Sequence, residues 1–169
     1  MSTTTYTTTR TFTHTATQLA GVMVSALAET LLAIGVSSDR VSRVFEYESA
    51  IKCWIEERSL AKIRVTLKPP GGAETAGYAF DIDYTAWDPE QKFRDQLARI
   101  RRQIVKEPRV RTGTDFKVIA SPRSGYSLSD QPGWTNTNRQ LPSFSNGYRH
   151  GTAGSGPGAS AVLRSYRLT

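Results

Sequence analysis

Three observations predict an α+β domain in which three helices pack on one mainly antiparallel sheet, followed by a mobile C-terminal segment. First, the hydrophobic spacing is helical over residues 17–58, falls to a period of two over 62–84, and turns helical again after residue 88. Second, the two alternating runs are separated by Pro69-Pro70-Gly71-Gly72, which makes them an antiparallel pair joined by a loop. Third, residues 122–169 hold seven of the 13 glycines and four of the eight prolines, so regular structure gives way there. Yet Tyr126, Trp134, Phe144, Tyr148 and Tyr166 are spread along that stretch. Large side chains of that kind dock, and weak local structure leaves more than one docked position open.

The elements follow in order. Ser2–Thr9 is nearly all threonine and serine around Tyr6, offers nothing to bury, and predicts a flexible arm. Leu19, Met23, Leu27, Thr30 and Ile34 then trace one helical stripe, while Val22, Val24 and Leu31 make the opposite side apolar too. A helix apolar on all sides belongs in the middle of a protein. Thr13, Thr15 or Thr17 is expected to cap it and Gly35 to end it. Ser37-Ser38-Asp39 offers a fresh cap for a second, amphipathic region carrying Val41, Val44, Phe45, Ile51, Trp54 and Ile55, interrupted near Tyr47. Ile63, Val65 and Leu67 alternate with polar residues in one strand, and Phe80, Ile82 and Tyr84 alternate with Asp81 and Asp83 in the next, leaving one face wet. Asp88-Pro89-Glu90 reads as the start of a third helix, with Phe93, Leu97, Ile100 and Ile104 as its buried stripe and Pro108 as its stop. Phe116, Val118 and Ile119 suggest a further strand, and in the tail only Ala161–Leu168 looks strand-like. The chain thus divides into an arm (1–11), a core (12–122) and a C-terminal segment (123–169).

At 169 residues with 38% hydrophobic side chains, the chain fits a single domain with its own core. The net charge of +7 makes nucleic acid or an acidic protein surface a conceivable partner. However, no basic run exceeds the pair Arg101-Arg102. A diffuse excess makes weak, salt-sensitive contacts, so a small basic nucleic-acid-binding domain is the second reading. Lys92, Arg94, Arg99, Arg101, Arg102 and Lys106 give the third helix its basic side, which a solvated face explains. The single cysteine, Cys53, excludes an internal disulfide and fits a reducing cytoplasm. Leu19–Val36 is apolar enough to be weighed as a membrane or export segment. Glu29, Ser25 and Thr30 within it, and the absence of a small-residue cleavage site, favour a buried core helix and no membrane association.

No set of residues composes a catalytic site, and no metal or cofactor is expected. Asp81-x-Asp83 puts two carboxylates on one strand face, but without a third acid they read as the polar half of an alternating strand. His14 and His150 have no acid or nucleophile near them in sequence. Cys53, beside Trp54, reads as a buried thiol. The run Gly151-x-x-Gly154-x-Gly156-x-Gly158 lacks the Gly-Lys-Ser/Thr ending of a phosphate loop and suits backbone mobility with close approach of main chains.

Several stretches, taken in order, resemble the bacterial HORMA domains, in particular the first of the two bacterial HORMA families. They are Phe12-Thr13-His14-Thr15 ahead of the apolar helix, Ala50-Ile51-Lys52-Cys53-Trp54-Ile55, Phe80-Asp81-Ile82-Asp83-Tyr84, Pro132-Gly133-Trp134, and the glycine-rich run ending in Tyr166-Arg167. The resemblance implies a HORMA-like fold whose C-terminal region, the safety belt, closes over a closure-motif peptide that adds a strand to the sheet. It implies an adaptor that activates a cGAS-like nucleotidyltransferase in anti-phage defence and is reset by an AAA+ ATPase pulling on the N-terminal arm. The closure peptide would come from a partner protein or from another copy of the chain. On this reading Trp134, Phe144, Tyr148, Tyr166 and Arg167 serve peptide and partner binding, and Tyr6 and Arg10 lie in the arm the ATPase engages.

Overall fold

The computed structural model describes residues 9–74, 76–88, 90–104, 106–136 and 148–167, and the side chains of all of these except 9–11 and 167. Helix α1 (Thr9–Ala33) runs through the centre, with Leu19, Met23, Leu27 and Leu31 at most 2% exposed. Burying each such side chain contributes roughly 1.5–3 kcal/mol, which is why the apolar stripe fixes this helix in the core. By length and composition Phe12–Ala33 passes as a membrane span, but here it packs against the second helical region, α4 and the sheet. The helix begins upstream of the expected threonine caps, and Thr17 Oγ1 instead donates to the Thr13 carbonyl within it. Its end is as expected. Gly35 takes φ +103°, Gly35 N–H donates to Leu32 O, and Val36 N–H donates to Leu31 O, a Schellman stop.

The second helical region is broken as predicted into α2 (Ser38–Val41), a 3-10 turn (Ser42–Tyr47) and α3 (Glu48–Glu56). Strands β1 (Leu60–Lys68) and β2 (Ala76–Tyr84) form the predicted antiparallel pair, with Ile63 opposite Phe80 and Val65 opposite Tyr78 on the helix-covered face. Then the third helix departs from expectation. Asp88 Oδ1 accepts from Glu90 N–H in a local turn, and no helix begins there. The chain runs on to β3 (Arg94–Asp95), and only after it does α4 (Leu97–Ile104) start. Phe93 is drawn aside by packing over the glycines of a later strand; Gln96 takes the cap position, its carbonyl accepting from Ile100 N–H, with Asp95 Oδ1 3.4 Å from Leu97 N.

Strand β4 (Asp115–Pro122) pairs antiparallel with β1. Near the C-terminus the predicted strand is present as β6 (Ala159–Arg167), and the glycine run that precedes it is itself a strand, β5 (Tyr148–Gly156). All described pairings are antiparallel, in the order β3-β5-β6-β2-β1-β4. Strand β5 is hidden in the sequence because its helix-facing positions are glycines. A Cβ on Gly156 would lie 2.7 Å from Phe93 Cδ2, and one on Gly154 would lie 3.2 Å from Leu19 Cδ1. Where the sequence predicts backbone mobility and close approach of main chains, the run is instead a paired strand, and what approaches closely are side chains of Phe93, Leu19 and Thr15. The glycines let α1 and Phe93 sit directly on the strand backbone.

Candidate functional site

Strand β4 ends the sheet on one side. Its inner side bonds to β1, and among the described residues no strand pairs with its outer side. An edge of eight residues presents backbone N–H and C=O groups that an extended chain can pair with. Along this edge Phe116 is 8% exposed, while Val118 and Ala120 are half-buried on the core side, ready for additional apolar cover.

The chain leaves β4 and turns back along α3, where specific bonds pin it. Arg123 N–H donates to Ser59 O at 2.8 Å, and its guanidinium donates to Arg58 O at 2.9 Å. Trp54 Nε1 donates to Ser129 O at 2.9 Å, and Ser129 Oγ bonds Glu57. Trp134 then lays its ring edge-on against Trp54, at a centroid distance of 4.9 Å, and against Tyr47 at 5.2 Å. Residues 123–134 thus form a band that leaves β4 and docks along α3, held at a few discrete points. Residues 137–147 lie outside the described residues, and the chain reappears as β5, on the far side of β2 from β4.

The predicted site residues fall into separate places. Trp134 is the anchor of the band. Tyr148 starts β5, is 60% exposed, and its hydroxyl donates to Gln103 Oε1 on α4. Tyr166 lies in β6 opposite Gly77, far along the sheet from Trp134, with its phenol pushed above the usual range by burial and then by Asp81. Phe144 and Tyr6 lie outside the described residues. Arg10 falls in the first turn of α1 and Arg167 at the end of β6; the side chains of both lie outside the described residues. Trp134, Tyr148 and Tyr166 therefore do not converge on one patch, because β5 and β6 carry the last two to the opposite half of the sheet.

The polar candidates also find their places. Asp81 is flanked by Lys62 at 3.2 Å and Arg164 at 2.7 Å, joining β1, β2 and β6. Cys53 is not a core thiol. It is half-exposed, donates to Glu57 Oε1 and accepts from Gln131 Nε2 of the docked band. Burial first, then the Glu57 hydrogen bond, raises its pKa, which argues against a nucleophilic thiolate. On α4, Arg101 spends its charge in a bidentate contact with Glu29 of α1, at 2.7 and 2.8 Å. His14 is exposed on α1. His150 is the residue sequence reasoning missed. It is 2% exposed, with Nε2 2.8 Å from Glu107 Oε1, and burial outweighs Glu107 in lowering its pKa. Its partner is 43 residues away (150 minus 107), so no local motif could have shown it.

The fold matches solved structures throughout its length. The chain of a crystal structure of a mitotic checkpoint complex superposes with TM-score 0.69 at 11% identity, covering 96% of this chain and 99% of that one. Caenorhabditis elegans HTP-2 bound to the HIM-3 closure motif superposes with TM-score 0.67 at 8% identity, covering 90% and 89%. A chain of the Escherichia coli MS115-1 HORMA:CdnC:Trip13 complex superposes with TM-score 0.56 at 17% identity, covering 100% and 99%. At these identities the likeness shows the fold. No curated protein sequence matches. The family model that matches, over residues 3–166, is that of bacterial HORMA domain 2. It agrees with the bacterial HORMA resemblance of the sequence while replacing the first of the two families with the second. With the open β4 edge, the docked band and the hairpin of β5 and β6 in place, the chain belongs to the bacterial HORMA domain 2 family.

Proposed function

We propose that this chain is a non-catalytic adaptor that captures an extended peptide by strand addition along β4, with residues 123–169 acting as a safety belt over it. The observation that carries this reading is the outer side of β4, unpaired among the described residues and followed by the band anchored by Trp134. A peptide laid there gains main-chain hydrogen bonds from the edge and apolar contact from Val118, Ala120 and Leu128. Bound peptide favours the closed belt through its differential affinity for that state. The HTP-2 neighbour is bound to a closure motif, which supports the peptide-binding part.

The E. coli neighbour, a HORMA:CdnC:Trip13 complex, supports the choice of partners. We assign this chain, in the cytoplasm, to activation of a cGAS-like nucleotidyltransferase in anti-phage cyclic-oligonucleotide signalling (CBASS). An AAA+ ATPase of the remodelling class resets it by gripping the arm ahead of α1. The test is a pull-down with a nucleotidyltransferase and an AAA+ protein encoded by neighbouring genes. Co-purification is expected, lost when Val118 and Ala120 are both changed to Asp and kept when exposed Lys117 is changed to Ser. Deleting Ser2–Thr8 should leave capture intact and block ATP-driven release. Capture that survives the double Asp change would remove strand addition at β4, and release from the truncated chain would remove the arm's role.

A further inference from the structure

We propose that the cavity at the root of the hairpin of β5 and β6 is a binding site for a nucleoside phosphate. The cavity encloses about 870 Å³ between the loop after α4, the β1–β2 connection and the start of β5. That volume is in the range of about 300–1,000 Å³ typical of small-molecule sites. It adjoins the start of β4 at Thr114 but draws on the α4 loop and the β5 strand and not on the outer edge of β4, so it goes beyond the peptide-binding reading and stands without it.

Three features define the ligand. The walls are apolar, from Leu67, Tyr78 and Val110. Inside sits a polar pair that the backbone goes out of its way to build. The β5 register slips between Arg149 and Gly151, so His150 is an extra residue in the strand, the kind of bulge that re-aims a side chain. The ring lies between Tyr78 and Tyr148, beside Glu107. His150 Nδ1 is buried with no hydrogen-bond partner among the described residues. Native structures rarely leave such an atom unmatched, and a turn of the ring would bring it to a ligand in this cavity.

With Nε2 turned to Glu107, His150 Nδ1 and the carboxylate both offer acceptors, which suit the exocyclic amino group of a nucleobase. The third feature is charge. Lys106, Arg109 and Arg111 line the mouth, all three exposed, against the single acid Glu107. Among the described residues none of the three is in a salt bridge. Guanidinium groups suit a phosphate dianion. The exposed ring of Tyr148, held by Gln103, gives a base a face to stack on. A ligand of this class would tie the α4 loop to β5 and so favour the docked hairpin.

The experiment is equilibrium dialysis of the full chain at physiological salt against AMP, GMP, CMP, UMP and inorganic phosphate, with a thermal melt for each. Saturable binding of at least one nucleoside monophosphate is expected, at least tenfold tighter than inorganic phosphate and with a raised melting temperature. Changing Arg109 and Arg111 together to Glu should weaken it at least tenfold, and Tyr148→Ala should weaken it several-fold. These side chains are exposed, so both variants should keep the fold even if His150→Phe does not. No saturable binding at millimolar concentration would overturn the proposal. So would equal affinity for inorganic phosphate, or binding unchanged in the Arg109/Arg111 and Tyr148 variants.

Discussion

Replacing Trp134 with Ala separates a docked band from a plain extension of the core. The ring is half-buried and makes two edge-on aromatic contacts, with Trp54 at 4.9 Å and 75° and with Tyr47 at 5.2 Å and 62°. Full truncation of a buried Trp costs about 3–5 kcal/mol, and each aromatic pair contributes roughly 0.5–1.5 kcal/mol beyond area. Half-burial lowers the total, so a loss of about 2–3 kcal/mol is expected, which is roughly a 30–150-fold rise in local opening. The remaining anchors, Arg123 on Ser59 and Trp54 on Ser129, keep the band tethered. Hydrogen exchange is the assay. Amides over 123–136 should exchange faster by about that factor, while those of β1 and β2 should change little, because the ring partners of Trp134 lie on α3 and the 3-10 turn. If bound peptide is available, its dissociation should accelerate in parallel. Unchanged exchange over 123–136 would mean that Trp134 anchors nothing. Equal acceleration in β1 and β2 would mean that the band and the core open as one unit, and the belt would lose its separate identity.

The other predictions use different parts of the molecule. Gly156→Ala should lower the thermal midpoint at a cost of about 1–3 kcal/mol, because its Cβ would meet Phe93 Cδ2 at 2.7 Å and Thr15 Cγ2 at 3.0 Å; an unchanged melt would show that Phe93 swings clear. His150 has a folded pKa below its ordinary 6.5, so unfolding takes up a proton in the window between the two values. Its contribution to stability is complete above pH 6.5 and is lost as pH falls through the folded value. Denaturant midpoints measured from pH 7.5 downwards should show this decline, and His150→Gln should flatten it. Changing Asp81 and Asp83 together to Asn should cost only about 1 kcal/mol, since partly exposed ion pairs contribute little; titration with Mg²⁺ or Mn²⁺ should not distinguish the variant from the parent.

The parts of the fold legible in the sequence are those where a side chain reports its own surroundings. Leu19, Met23, Leu27 and Ile34 announce a central helix because each is buried, and Ile63, Val65, Phe80 and Ile82 announce a sheet face for the same reason. Gly35 announces a helix end because the chain needs φ +103° there. Legibility stops where the neighbour decides. Strand β5 shows no apolar alternation, because its inner positions are glycines that make room for Phe93 and α1. Asp88-Pro89-Glu90 carries every local mark of a helix start, yet pairing of Arg94 and Asp95 with Ser155 and Gly154 holds the chain extended and moves the start to Leu97. Trp134 was legible as an anchor from its size alone. Where Tyr148 and Tyr166 lie relative to it is set by strand order, which no single side chain reports.

Strand order also explains why the open edge, on which the proposed function rests, is invisible in the sequence. Phe116, Val118 and Ala120 report that β4 has one side face on the core, and nothing about whether a strand lies beyond it. The two ends of this sheet are treated differently. At one end β3 is two residues long and leads directly into α4, which packs on β5. At the other, β4 runs for eight residues, and among the described residues no strand pairs with its outer side. Natural sheets blunt such edges with short strands, charges or covering loops; here the chain after β4 docks on α3 through Trp134 and Ser129, and none of its described residues pairs with β4. On the proposed reading an extended peptide pairs with this edge under the band, and the exchange experiment on Trp134 must then find a band that opens without the sheet.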